Sequence, residues 1–524
     1  MSVETTESFA SGEVVEKGLK HGALGLISSI VIGVASTAPA YSLAATLGFV
    51  VVLMGTKSVG ITLLAFVPML LIAYGYKELN KAEPDCGTTF TWATKAFGPK
   101  TGWLGGWGII AADVLVMASL AQVAGAYFFL LIGKDAIGSD PTSGWVLLVG
   151  IIWIIIMTAI CYVGIEVSAN FQKALLGIEL VMLFVLSITA LVKTYTGHGL
   201  PGSMHPSLSW FNPFGAGFSF STFVQATLLM LFIYWGWDTT VAVNEETKNQ
   251  RQTPGLAAVL STLVLVGTYV IVTVSVIAFA GTGSGATGLS NPNNSGDVLS
   301  ILGHAAFGTS SLGNFLTKLL LLMVLSSAAA STQTTILPTA RTSLAMAAYK
   351  ALPRTFAKIH PRFRTPSVST VVMGAVSIVL YVGLNYVSGG NIISDSVSAL
   401  GWFIAFYYGL TGFSCIWYYR HQLRNSSQDL WLKGILPCAG GIMLFGALIA
   451  SVYYDWNSNF GYTYWTMPFP PHWAIGGIWL IAVGTALLGV VLMFAAMATP
   501  SLKPFFRGEV IAPEAELAEV IREP

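Results

Sequence analysis

The sequence predicts an all-α polytopic membrane protein with twelve transmembrane helices, arranged as a five-plus-five inverted repeat followed by two further helices. Three observations predict this fold. The composition is strongly apolar. Twelve apolar segments alternate with polar loops. The first and sixth of these segments are interrupted in similar places, five segments apart.

The composition excludes a water-soluble globule. Of 524 residues, 54% are hydrophobic and 9% are charged, with a mean hydropathy of +0.71. In soluble domains, roughly a quarter of the residues are charged. The net charge of +1 gives no reason to expect a nucleic acid partner. The four cysteines form no CxxC pair or Cys/His cluster, so we expect packing roles and no disulfide, metal or cofactor.

The apolar segments can be placed directly, since a spanning helix needs about 20 mostly apolar residues. The N-terminal stretch Met1–Lys20 has no apolar core of a signal peptide, so we expect the first segment to be retained. The twelve predicted spans are 24–54, 59–76, 102–132, 145–162, 171–191, 218–243, 257–279, 315–337, 368–387, 396–419, 434–453 and 473–495.

Loop charge predicts the orientation. With both termini cytoplasmic, 21 of the 25 basic residues fall in inner segments, as the positive-inside rule requires. The others are Lys57, Lys134, Lys193 and Lys318. We therefore expect a multi-pass protein of the cell (inner) membrane. The predicted parts are a cytoplasmic tail over 1–22, a twelve-helix domain over 23–498 with repeats at about 23–193 and 214–420 and final helices at about 432–497, and a cytoplasmic tail over 499–524.

The first span is interrupted by its own sequence. The stretch Val31–Ser42 contains Gly33, which is permissive, and Pro39, which removes a backbone donor and clashes with the preceding turn. Ser36 and Thr37 offer hydroxyls beside the freed backbone groups. A simple proline kink is the alternative interpretation.

The sixth span is interrupted without proline. Phe232–Thr240 contains Gly236 and an ionisable Asp238 inside an apolar segment. Unwound backbone at mid-membrane is tolerated only where it lines a cavity, and the five-span spacing is typical of inverted repeats. The two interruptions therefore predict a polar ligand site.

Three stretches carry recognisable motifs: 83–107 before span three, Tyr234–Asn249 in span six with its downstream Glu245 and Glu246, and the loop after span eight from Arg341 through Pro366. Together they resemble the motifs of the amino acid–polyamine–organocation superfamily, and the resemblance covers nearly the whole transmembrane region. The resemblance implies the leucine-transporter fold. It also implies that span one amides meet a substrate carboxylate and span six carbonyls meet its ammonium. The candidate substrate-binding residues are Gly33, Val34, Ala35, Ser36, Thr37, Tyr234, Trp235, Gly236, Trp237 and Asp238.

The sequence departs from the superfamily pattern at two places. Span one has Gly33–Thr37, Gly-Val-Ala-Ser-Thr, where most relatives have a Gly-x-Gly core. Glu179 falls where several proton-coupled relatives carry a lysine. Carboxylates inside a membrane are costly and usually functional, so Glu179 and Asp113 are the candidate coupling residues. The alternative for Glu179 is a permanently protonated side chain that is hydrogen-bonded to a neighbouring helix such as span eight, near Ser327 or Ser331. The alternative for Asp113 is that it is solvated near the inner interface.

Further side chains are open to two interpretations. Ser119 and Gln122 of span three would line the pocket or only pack against other helices. The aromatic segment 453–473 is interpreted as an interfacial belt, with a substrate lid as the alternative.

These features predict a secondary active transporter that imports an amino acid with protons by alternating access. Its partners would be a small-molecule substrate, protons and the lipid bilayer. A polyamine or other organic-amine permease and an amino acid exchanger are the alternatives within the class. A membrane-embedded enzyme is disfavoured because all seven histidines fall in loops or at span ends, and a nutrient sensor because we find no sizeable soluble domain.

Overall fold

The computed structural model describes residues 17–215, 217–291, 298–387 and 391–510. Most of the two predicted tails lies outside these ranges, and so does the end of the loop 281–297. In the first half the helices are α1 Leu26–Ser36, α2 Pro39–Met54, α3 Ser58–Ala82, α4 Thr89–Phe97, α5 Pro99–Leu131, α6 Asp135–Gly138, α7 Gly144–Val163, α8 Ile165–Tyr195, α9 Phe220–Ile233 and α10 Thr239–Ala242.

The second half is also helical, apart from one short hairpin. Its helices are α11 Thr253–Ala280, α12 Val298–Phe307, α13 Ser311–Ala348, α14 Ser367–Asn385, α15 Asn391–Tyr419, α16 Ser427–Asp429, α17 Leu436–Tyr454, α18 Gly477–Ala498 and α19 Lys503–Phe506. Strands β1 Tyr464–Thr466 and β2 Ala474–Gly476 pair antiparallel between α17 and α18. The predicted all-α membrane fold is confirmed.

Helices occupy each of the twelve predicted spans. Among the described residues, ten helical segments are long and apolar enough to cross a membrane. One of them, Leu26–Ala82, contains the first two predicted spans, and the sixth is represented by the shorter Phe220–Ile233. The twelve crossings and the inverted repeat therefore remain predictions.

The interruption of the first span lies between α1 and α2. The first helix ends at Ser36, and Ala38 takes a left-handed conformation with φ of 46° before Pro39 begins the next. Proline suits the first turn of a helix because its missing donor would be unpaired there anyway. The sequence predicts that Gly33 lies at the break, but Gly33 lies inside α1. A Cβ there would come within 2.5 Å of the Ser261 hydroxyl, so this glycine permits close helix packing instead.

The interruption of the sixth span is a turn of five residues, Tyr234–Asp238, between α9 and α10. Gly236 has φ of 114°, which L side chains rarely adopt. A Cβ at Gly236 would stand 2.9 Å from the carbonyl oxygen of Ser36, so glycine is required both for the turn and for contact with the first break.

The interrupted helices lie in the interior of the bundle. Helix α1 packs against α8, α11 and α13, and α9 packs against α2 and α3. The outer faces of α7, α8 and α18 carry exposed large apolar side chains such as Ile155, Val181 and Leu488. Such faces match a lipid environment, which places the two breaks away from lipid.

Candidate functional site

The two helix breaks contact each other. The hydroxyls of Ser36 and Thr239 lie 2.9 Å apart, and both side chains are buried. Helix α13 joins them, because Ser331 donates its hydroxyl to the carbonyl oxygen of Ser36 at 3.0 Å. Thr239 in turn donates to the carbonyl oxygen of Thr334 at 3.5 Å. Three segments distant in sequence thus share one polar network in the middle of an apolar bundle.

Glu179 on α8 connects the first break to α13. Its Oε1 accepts hydrogen bonds from the backbone N–H of Ala40 and from the hydroxyl of Ser327, both at 2.7 Å. The side chain is fully buried, and among the described atoms its Oε2 has no partner. This is the contact near Ser327 that the alternative interpretation of Glu179 names, and the coupling role stays a prediction. Glu179 therefore links three helices, α8, α2 and α13.

Asp238 ends the turn in the sixth span and faces α15. Its two carboxylate oxygens accept hydrogen bonds from the hydroxyls of Tyr408 at 2.8 Å and Tyr407 at 3.1 Å. The turn itself is tied to the same pair, since Gly236 donates its N–H to the Tyr408 hydroxyl at 3.3 Å. Trp235 donates its indole N–H to Tyr407 at 2.6 Å. Among the described side chains, no base pairs with Asp238.

The aromatic residues of the turn are packed inside the protein. Tyr234 donates its hydroxyl to the carbonyl oxygen of Thr62 at 3.0 Å. Trp237 is fully buried against Tyr76 and Tyr408, with ring centroids 5.2 and 5.0 Å apart. These rings seal the space beneath the turn in the conformation observed.

Asp113 on α5 is buried and not solvated. Its Oδ2 accepts a hydrogen bond from the Thr339 hydroxyl at 2.5 Å. Of the two span-three candidates, Ser119 bonds the Tyr41 hydroxyl at 2.7 Å and lines a cavity. Gln122 instead donates to the carbonyl oxygen of Pro141 and does not line that cavity.

A cavity of about 370 Å³ approaches the breaks from one end of the bundle. Tyr41 and Phe232, which flank the first and sixth breaks, lie at its inner part. Residues from α15 and α17 and the aromatic residues Phe460 and Tyr462 also line it. The aromatic segment after α17 thus contributes side chains to the lining of a cavity, and its role as an interfacial belt or as a lid stays a prediction. By the predicted orientation this is the outer side.

The other end of the bundle is closed by buried ion pairs. Arg341 of α13 forms a two-pronged contact with Glu246, from Nε to Oε2 at 2.6 Å and from Nη2 to Oε1 at 2.9 Å. Both side chains are at most 1% exposed. Leu24, just before α1, makes two backbone hydrogen bonds to the segment after α10. Its N–H donates to the carbonyl oxygen of Glu246, and its carbonyl oxygen accepts from the N–H of Lys248. Helix α1 and the segment after α10 are therefore held together on the predicted inner side.

A second ionic group extends this closure to the N-terminal segment. The Lys17 ammonium contacts Asp85 at 2.8 Å and Glu245 at 2.5 Å, all three side chains being buried. Burial alone would lower the pKa of Lys17, but the two carboxylates raise it above its usual range. Asp85, Cys86 and Glu245 converge closely enough to suggest a metal site. Because the ammonium already lies between the carboxylates, and burial raises the pKa of the Cys86 thiol, an ion-pair cluster explains them better.

The sequence predicts the breaks and the three intramembrane acids, but it does not predict these ion pairs. Arg341, Glu245 and Glu246 belong to the motifs that carry the resemblance, and the sequence pattern assigns no partner to Lys17. A signal was available: Glu245 and Glu246 directly follow the apolar sixth span, and charges at such a position need partners.

Interrupted helices that meet inside an apolar bundle are typical of membrane transporters, because freed backbone there is tolerated only around a polar cavity. The chain belongs to the amino acid permease family, whose model matches residues 22–504. The match includes every helix from α1 through α18. The resemblance to the amino acid–polyamine–organocation superfamily is confirmed, and the chain is a transporter of that class.

Individual relatives are distant and differ in what they carry. An uncharacterized transporter of Mycobacterium tuberculosis is 26% identical over 67% of this chain and 72% of its own length. A low-affinity putrescine importer of Escherichia coli is 23% identical over 73% of this chain and 78% of its own. A branched-chain amino acid permease of Lactococcus lactis is 24% identical over 41% of this chain and 47% of its own.

Proposed function

We propose that this protein is a proton-coupled importer of a small solute that carries an ammonium group, working by alternating access. The observation that carries the proposal is the asymmetry around the two breaks. A cavity reaches Tyr41 and Phe232 from one side, while Arg341 and Glu246 close the other. Such a conformation would admit solute from the cavity side and release it only after the ion pairs part.

The solute site is proposed at the two breaks, formed by Gly33–Thr37 and Tyr234–Asp238. In the observed conformation these residues are buried, and the cavity ends beside them. Asp238 is the proposed partner of the ammonium, because its carboxylate is bonded only to neutral tyrosine hydroxyls among the described residues. A solute ammonium would supply the missing countercharge.

Glu179 is the proposed coupling residue. Its carboxylate, on α8, accepts hydrogen bonds from Ala40 of α2 and Ser327 of α13, so gain or loss of a proton would change its contacts with two other helices at once. Asp113 is the second candidate, with one bond to Thr339. Coupling by protons is favoured over sodium because burial favours the neutral form of each carboxyl while its hydrogen-bond donors favour the charged form, so that both protonation states are accessible.

Two solute classes fit an ammonium site. Amino acids are suggested by the family and by the Lactococcus relative, and organic amines by the Escherichia relative. Both are tested by the same assay. In proteoliposomes loaded with unlabelled solute, wild-type protein should accumulate labelled amine or amino acid by exchange.

The variant that tests the site is Asp238→Asn. It should reduce exchange at least tenfold, because a buried ammonium would lose its countercharge. Asp135→Asn is the matched control, since Asp135 is exposed and lies in the short helix α6, away from the breaks. Normal exchange by Asp238→Asn, with folded protein confirmed by size-exclusion chromatography, would contradict the proposed site.

A further inference from the structure

The beginning of α2 is the place where a transporter of this kind would bind a carboxylate. Helix N-termini expose backbone N–H groups and the positive end of the helix dipole, and anions bind there readily. In this chain the position is already occupied. Pro39 has no N–H, the N–H of Ala40 donates to Glu179 at 2.7 Å, and the N–H of Tyr41 donates to the Ser327 hydroxyl at 3.1 Å.

The other amides of the break are also bonded. The N–H groups of Thr37 and Ala38 donate to carbonyl oxygens of α1, at 3.2 and 3.1 Å, and that of Ser42 donates to Ala38 at 2.8 Å. Over residues 37–42, every backbone N–H thus has a partner within the protein. The anion at the start of α2 is the protein's own carboxylate, fixed on α8.

The lining of the cavity that leads to the break also favours a cation over a carboxylate. Of the side chains lining it in the described part of the chain, none is basic, and one is the carboxylate of Asp455. Asp455 is 4% exposed and accepts a hydrogen bond from the indole of Trp402 at 2.6 Å. A cation is attracted along this path, whereas a carboxylate finds no countercharge there.

We propose that Glu179 occupies the anion position of the solute site, and that the transported solute is therefore an amine or polyamine with no carboxylate beside its ammonium. This inference rests on the proposed function and narrows its solute class. An α-amino acid would place its carboxylate against Glu179 with no free donor, and unpaired buried charges are strongly disfavoured. Glu179 acts here as a specificity-determining residue in addition to any role in coupling.

The first experiment compares amino acids with the amines formed by their decarboxylation. The pairs are ornithine with putrescine and leucine with 3-methylbutylamine. Binding to purified full-length protein is measured by the ligand concentration needed to raise the unfolding temperature. The amine of each pair should act at a concentration at least tenfold below that of the amino acid. Equal or tighter binding of the amino acid would overturn the inference and leave the proposed function standing.

The second experiment empties the anion position. Glu179→Ala frees the N–H of Ala40 and the Ser327 hydroxyl, so the preference for amine over amino acid should fall at least tenfold. Glu166→Ala is the matched control, because Glu166 lies on the same helix but is exposed and paired with Lys20. Its loss leaves the donors at the start of α2 occupied, so the preference for amines should persist.

The outcomes separate the two proposals. An unchanged preference in Glu179→Ala would refute the specificity role, provided that the variant still unfolds cooperatively. If neither amines nor amino acids bind the wild-type protein or exchange in proteoliposomes, the proposed function fails together with the inference.

Discussion

Glu246→Gln is the sharpest test of the proposed closure on the inner side. The substitution keeps the size of the side chain but removes the charge that faces Arg341, which is 1% exposed and bonded to Glu246 through two nitrogens. The guanidinium then remains in the interior without its countercharge. Because the segment after α10 also bonds the start of α1, the conformation in which these elements separate should become more populated.

The size of this effect follows from the burial. Removing one partner of a buried ion pair costs about 3–5 kcal/mol. This cost falls on the closed conformation, since water can reach Arg341 once the elements part. At about 1.4 kcal/mol for each factor of ten, the open-to-closed ratio should rise by roughly two to four powers of ten.

A native cysteine provides the assay. Cys86 is fully buried and donates its thiol to the carbonyl oxygen of Arg341 at 3.6 Å, so it becomes accessible when this region opens. Labelling by a polar maleimide should be slow in the wild-type protein and at least 100-fold faster in Glu246→Gln, if the opening has the size given above. Cys438, which is partly exposed, is first replaced by serine, and Cys86→Ser gives the background.

A double variant separates loss of the ion pair from general damage. Replacing Arg341 and Glu246 together by methionine leaves no buried charge, and such exchanges are often neutral or stabilising. Labelling of Cys86 should then return close to the wild-type rate. Equal labelling in Glu246→Gln and wild type would refute the reasoning, and so would fast labelling of the double variant.

Two further substitutions test other parts of the structure. Gly236→Ala should lower stability by about 1–3 kcal/mol, because alanine at φ of 114° is strained and its Cβ would contact Ser36. Gly267→Ala is the control, since a Cβ at that position has open space. Thermal unfolding measures the stability of both variants. Lys17→Met should destabilise the protein most near pH 7. Burial opposes ionisation of Asp85, but the Lys17 ammonium holds the pKa of Asp85 below its usual range, so this contribution is present above about pH 4 and is lost as the pH falls further. The difference in unfolding temperature between wild type and Lys17→Met should therefore shrink as the pH falls below about 4, and a constant difference over that range would contradict the ion-pair assignment.

The positions of the helix breaks could be predicted because their causes are local. Pro39 cannot continue a helix in the middle of a span, and Gly236 permits a backbone conformation that other residues resist. The prediction that Gly33 lies at the break was wrong, although it rested on the same conformational freedom of glycine. Glycine allows a break but does not require one, and here the close approach of Ser261 explains it.

The partners of the charged residues could not be predicted from local pattern. Lys17 lies 68 residues from Asp85 and 228 from Glu245, and Arg341 lies 95 residues from Glu246. They come together through the packing of α1, α10 and α13 and of the segment between α3 and α4 that contains Asp85. The same limit applies to the solute site, where the motif indicates which amides are released by the break but not that Glu179, from another helix, already bonds one of them.

The three intramembrane acids are therefore not equivalent, although the sequence presents them alike. Asp113 is bonded by one threonine hydroxyl and Asp238 by two tyrosine hydroxyls, all of which are neutral side-chain donors. Glu179 alone accepts from the backbone at a helix N-terminus, where negative charge is favoured by the helix dipole. A carboxylate so placed competes with any anion that approaches the break. Asp238, by contrast, has hydroxyls that can rotate away, and it is free to take a cation as its partner. This difference in donors is the physical basis for assigning the anion position to the protein and the cation position to the solute.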